Sequence, residues 1–92
     1  MTKRLKPDDR RAQIIAAALD EAEQVGYRCM LRKSIAKRAG CTEALVSHYF
    51  GTRKQLTRAV MRAAIAQGRS RIIMQGRLIN DPQAMKAGSF VL

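Results

Sequence analysis

The sequence has 92 residues, with 18 Lys+Arg against 7 Asp+Glu and a formal net charge of +11. That length holds one small domain, and a hydrophobic content of 47% excludes disorder along the whole chain. No apolar run reaches the roughly 18–20 residues of a membrane span, and the basic N-terminus is not followed by the apolar stretch of a secretory leader. Two cysteines, Cys29 and Cys41, cannot build a disulfide scaffold, so a reducing cytoplasm is expected. Aromatic residues are scarce and Trp is absent, so the core must come from Ala, Ile, Leu, Val and Met. So small a core is marginal alone, and dimerisation is one ordinary remedy. The charge points to nucleic acid, an anionic membrane or an acidic protein.

Residues 1–8 read as a flexible basic arm carrying Lys3, Arg4 and Lys6. Asp8 or Asp9 is expected to cap a first helix. Ile14, Ile15, Ala18, Leu19, Ala22 and Val25 form its apolar stripe, with Asp20, Glu21, Glu23 and Gln24 off it. Gly26 stops it in a left-handed C-cap. A second helix is predicted from about Leu31 to Ala39, with Ile35, Ala36 and Ala39 inward and a basic outer face. Gly40 ends it, and Thr42 caps a short third helix from Glu43 to about Tyr49. Leu45 either joins its apolar side or points outward.

Thr52 starts a fourth helix with Leu56, Ala59, Val60, Ala63 and Ala64 on one face. Met61 and Ile65 widen that stripe beyond what one partner face needs. Gly68 weakens or ends it. Ile72, Ile73, Leu78 and Ile79 suit a further helix weakened by Gly76. Asn80-Asp81-Pro82 starts a last one, and Gly88 ends it. Residues 89–92 either fray or pack on a partner.

The stretch from Arg32 to Tyr49 fits a helix-turn-helix. Ile35 and Val46 are its buried residues, Ala36 is small where the helices cross, and Gly40 supplies the turn conformation that a Cβ penalises. That geometry lets the second helix enter a major groove. An ordinary helical hairpin is the plainer alternative.

Residues Ile14 to Leu56 resemble the DNA-binding module of TetR-type transcriptional repressors. Ala17-Ala18-Leu19, Gly26-Tyr27, Ile35-Ala36, Ala39-Gly40 and Tyr49-Phe50, followed by Arg53 and Leu56, carry the resemblance. It covers about half the chain. It implies an all-α fold: a three-helix head over residues 9–56, then a fourth helix and one or two short helices over residues 52–92 for dimerisation. It also implies that Thr42, Glu43 and Ala44 open a recognition helix against phosphates and base edges. Ser47, His48 and Tyr49 lie at the helix's other end. Arg53 and Lys54 would grip a phosphate at the start of the fourth helix. Arg32 and Lys33 would reach the flanking backbone.

Three positions depart from the family. Ser47 stands where Tyr is common, Arg53 where Lys is common, and Leu31 where a hydroxyl usually caps the second helix. Leu31 shifts that helix's start or leaves it frayed. The segment after Gly68 is also too short for the large ligand-binding domain of the family. A minimal repressor of the plasmid or phage kind, acting without a small-molecule inducer, is therefore expected; a fragment of a longer repressor is the alternative.

Several residues carry two readings. Glu43 either favours the helix N-terminus by its charge or accepts from cytosine N4. Leu45, if outward, could touch a thymine methyl. Arg58 and Arg62 could extend the basic surface, and Arg69, Arg71 and Arg77 could make a second one. A solvated face is preferred for Arg62, Arg69 and Arg71. Cys41 reads as a small hydrophobe. His48, Cys29 and Cys41 match no common zinc spacing, so no metal or cofactor is expected. No catalytic arrangement can be named, so no enzyme is expected.

The expected function is a cytoplasmic, nucleoid-associated repressor that binds double-stranded DNA as a homodimer at a palindromic operator and occludes a promoter. Dimerisation is expected through the wide stripe of the fourth helix and the segment after Gly68. The alternatives are a non-specific DNA- or RNA-binding module and an interaction module that modulates a larger repressor.

Overall fold

The computed structural model describes residues 6–79 and 81–86. They form α1 (Pro7–Val25), a 3-10 turn (Tyr27–Cys29), α2 (Arg32–Ala39), α3 (Glu43–Phe50), α4 (Arg53–Gln67), α5 (Ser70–Leu78) and α6 (Pro82–Lys86). This is the expected all-helical architecture. Lys3, Arg4, Asn80, Gly88 and residues 89–92 lie outside the described residues. None of the described helices is long and apolar enough to cross a membrane.

Helix α1 starts earlier than its acidic residues suggest. Lys6 is the N-cap residue without a side-chain cap, and Pro7 takes the first helical position, where its missing N–H costs nothing. Asp8 and Asp9 lie inside the first turn, where their charge suits the helix dipole, and do not cap it. Residues 7 and 8, expected in the arm, therefore belong to the helix. Ile14, Ala18, Leu19 and Ala22 are fully buried, but Val25 is exposed at the helix end. Glu21, expected off the stripe, is only 2% exposed. It sits seven residues from Ile14, two turns on, and so shares its face. Gly26 has the positive φ expected, but its ψ of 145° is extended, not left-handed helical.

Leu31 occupies the N-cap of α2 with no side-chain cap, and the helix starts at Arg32. Gly40 closes α2 at φ 70°, ψ 36°. The Cys41 amide then reaches back to the Ala36 carbonyl at 2.9 Å, satisfying a carbonyl that the helix end leaves open. Ile35, Ala36 and Val46 are buried as expected, and Leu45 packs half-buried against the core.

Helix α4 begins in a capping box between Thr52 and Gln55 and ends at Gly68. Part of its wide stripe is covered within the chain, while Ala59, Ala63 and Ile65 stay half-buried. Leu56, Val60, Met61 and Ala64 are fully buried, and α4 packs against α1, α5 and α6. Those four residues are therefore not free to form a dimer surface. Ile72, Ile73 and Ala84 from the last two helices close that core. Leu78, expected on the inner face of α5, is instead 80% exposed, and Ile79 is also exposed. Asp81 caps α6 as predicted: its Oδ1 accepts from the Gln83 and Ala84 amides at 2.9 and 3.2 Å.

Gly76 is more than a weak point in α5. It is buried, and a Cβ there would meet Met61 Cε and lie 2.8 Å from Ala84 Cβ. Met61 can move; a Cβ fixed to the α6 backbone cannot. Gly76→Ala is expected to cost about 1–3 kcal/mol in chemical denaturation despite its better helix propensity. Adding Ala84→Gly should recover much of that loss. If the single variant is as stable as the parent, the helices are not in this contact.

Candidate nucleic-acid interface

Helix α3 is the second helix of the helix-turn-helix. Thr42 Oγ1 accepts from the Leu45 amide at 3.1 Å, fixing its first turn. Val46 and Phe50 anchor it, and Leu45 and Tyr49 pack half-buried beside them. The remaining residues face outward: Thr42, Glu43, Ala44 and His48 are exposed, and Ser47 is half-exposed. Residues 43, 44, 47 and 48 repeat at helical spacing, so they share one face. The fold thus brings together the predicted reading residues, except that Tyr49 is turned toward the core. The His48 ring meets Tyr49 edge-on at 5.2 Å, so Tyr49 supports His48.

The neighbouring helices carry lysines. Lys33 and Lys37 on α2 and Lys54 on α4 are all exposed. Glu43 is the sole acid between Glu23 and Asp81 in the sequence, so the helix-turn-helix and α4 carry almost uncompensated positive charge. Lysine ammonium groups on flexible stems suit phosphate contacts without demanding one geometry.

The two arginines assigned to phosphates are engaged inside the chain. Arg53 donates to the carbonyls of Met30 and, at 3.0 Å, Arg28, tying α4 to the 3-10 turn. Arg32 donates to the Gly51 carbonyl at 3.3 Å, tying α2 to the turn between α3 and α4. Arginine suits the Arg53 position because its planar fork reaches two carbonyls at once. Both residues brace the ends of the helices around α3: Arg53 the start of α4, Arg32 the turn that follows α3. Their carbonyl partners are far away in sequence, which is why spacing gave no sign of them.

Two further supports were not foreseen. Arg38 Nε lies 2.9 Å from Glu21 Oε1, joining α2 to α1 through a buried carboxylate. Tyr27, 2% exposed, joins the head to the last helices. Its hydroxyl lies 2.9 Å from both the Thr57 carbonyl and Asp81 Oδ2. Its amide donates to Gln75 Oε1 at 2.6 Å. Of the candidates for a second basic surface, Arg69 pairs with Glu23 at 3.4 Å, Arg71 is exposed and Arg77 is half-buried; Arg58 and Arg62, expected to extend the first surface, are exposed. Cys29 is exposed, and Cys41 packs half-buried against the core.

The arrangement is a helix-turn-helix head whose α3 presents a polar outward face. The sequence profile of the bacterial regulatory proteins of the tetR family matches residues 14–60. The chain is 35% identical over 75 residues to the HTH-type transcriptional regulator BetI of Klebsiella pneumoniae (strain 342), covering 82% of this chain and 38% of that protein. It is 33% identical over 87 residues to BetI of Escherichia coli (strain K12 / DH10B), covering 88% of this chain and 45% of that protein. The chain thus spans less than half the length of these curated relatives. No solved structure matches. Profile, relatives and the geometry of α1 to α4 agree: the chain belongs to the TetR family of bacterial regulatory proteins and carries its helix-turn-helix DNA-binding head.

Proposed function

We propose that the chain is a transcriptional repressor that binds an inverted-repeat operator as a homodimer and blocks a promoter by occupying it. The observation that carries this reading is the outward face of α3, with Glu43, Ala44, Ser47 and His48 in one row, together with exposed Lys33 and Lys37 on α2 and Lys54 on α4. The regulator names of the two relatives support it. Lys33 and Lys54 contact phosphates; the α3 row and Thr42 meet the groove. Lys3 and Arg4, on the arm, would add backbone or minor-groove contacts. Dimerisation uses the outer face of α5, where Met74 and Leu78 lie one turn apart and are 50% and 80% exposed. The reading includes no inducer: α5 and α6 turn their buried faces onto the head. It places the protein in the cytoplasm, on the nucleoid.

Selection from a random double-stranded DNA library at physiological salt tests this. An enriched inverted repeat is the expected result, with half-sites about one helical turn apart or a little more. On that site Lys54→Ala should weaken binding evenly across sequences and flatten the salt dependence by about one ion. Exchanges at Ala44 or His48 should change the preferred base. Arg53→Ala should lower the melting temperature as well as affinity, because it frees the 3-10 turn. Binding without an enriched motif, lost at physiological salt, would leave a non-specific module.

A further inference from the structure

An open groove of about 870 Å³ runs between α1 and α4, closed at one end by the last residues of α3. Its walls are single helix faces, and three alanines explain why it exists. Ala12 on α1 and Ala59 and Ala63 on α4 are too short to fill the space between the helices. Ile15 and Phe50 complete an apolar floor. The rim is cationic. Arg11 lies 4.8 Å over the Phe50 ring, which holds its guanidinium at the groove. Arg58 and Arg62 follow one turn apart along α4, both exposed, and neither forms an ion pair among the described residues. Asp8 is the one acid on the lining, set against three guanidinium groups.

We propose that this groove binds a small amphipathic anion, an elongated apolar body with a carboxylate or sulfonate head. The body lies on the alanine floor, out of water, and the head meets Arg58 and Arg62. A DNA strand fits less well. At 1.5 Å per residue, Arg62 stands about 13 Å along α4 from Arg53, so a phosphate held at the helix start is beyond its reach. DNA also has no use for the apolar floor.

Calorimetric titration of the 92-residue chain with octanoate tests the proposal, with octan-1-ol as the uncharged probe. One octanoate per chain is expected. Affinity should fall about tenfold or more in Arg58→Gln/Arg62→Gln, whose side chains make no hydrogen bond or ion pair among the described residues. It should also fall in Ala63→Leu, which fills the floor and leaves the charge unchanged. Arg71→Gln, on α5, should match the parent. The proposal fails if the double glutamine variant binds octanoate as the parent does, if octan-1-ol binds as tightly, or if many molecules bind per chain. It also fails if the parent takes up no octanoate while the double variant loses duplex DNA as Lys54→Ala does; the groove is then a DNA contact.

Discussion

Tyr27→Ala is expected to destabilise the chain by about 3–5 kcal/mol, the usual cost of deleting a buried aromatic side chain. Small domains have only about 5–15 kcal/mol in total, so the variant should be partly unfolded at growth temperature. Tyr27→Phe separates packing from hydrogen bonding. It keeps the ring and leaves the Thr57 carbonyl and Asp81 without the hydroxyl. Its expected cost is about 1–3 kcal/mol. Burial first, then the hydrogen bond to Asp81 and its charge, push the phenol above its ordinary value of 10.0. The unfolded chain ionises this group near pH 10; the folded chain keeps the proton. Above that pH unfolding releases a proton, so stability falls as pH rises; below it the contribution is intact. Urea midpoints across pH 9 to 11 should therefore drop more steeply for the parent than for Tyr27→Phe. Parallel curves would show that the hydroxyl is not held as described.

The second large effect is expected at Arg38. Glu21 is 2% exposed and depends on Arg38 Nε at 2.9 Å, with the Leu31 amide at a long 3.5 Å. Removing one partner of a buried ion pair costs about 3–5 kcal/mol, because the other charge stays buried. The Arg38 side chain is 38% exposed, so water can reach the vacated site, and Arg38→Ala should fall near 3 kcal/mol, at the lower end. The paired change Glu21→Met/Arg38→Met should recover most of the loss, since an apolar pair of similar volume carries no desolvation penalty. An Arg38→Ala variant within about 0.5 kcal/mol of the parent would show that Glu21 is solvated after all.

The parts of this fold that were legible in the sequence rest on local chemistry. Thr42, Thr52 and Asp81 each bond an amide two or three residues ahead, and Gly40 meets a conformational need of its own turn. A short window contains everything such a residue does. Val25, Leu78 and Ile79 failed for the opposite reason: periodicity finds apolar residues but not where the covering helix stops. The wide stripe on α4 was correctly seen as more than one partner face requires. Its cover came from α5 and α6 of the same chain, and only the packed structure shows that.

The site divides the same way. The outward row on α3 and the exposed Lys33 and Lys54 follow from helical spacing and charge. Arg32 and Arg53 do not, because their partners are backbone carbonyls of distant turns, which have no sequence identity to recognise. Glu21 left a signal that its charge masked. Its spacing from Ile14 and Ala18 placed it inward, and Arg38 was the cation needed to make that tolerable.

The contact between Tyr27 and Asp81 also orders events during synthesis. Translation delivers the chain from its N-terminus, so the residues of the head leave the ribosome before Asp81 does. In that interval the Tyr27 hydroxyl has the Thr57 carbonyl but not the carboxylate, and its amide lacks Gln75. The nascent head is then a looser body than the finished protein. Its tightening awaits α6, the last helix to appear among the described residues.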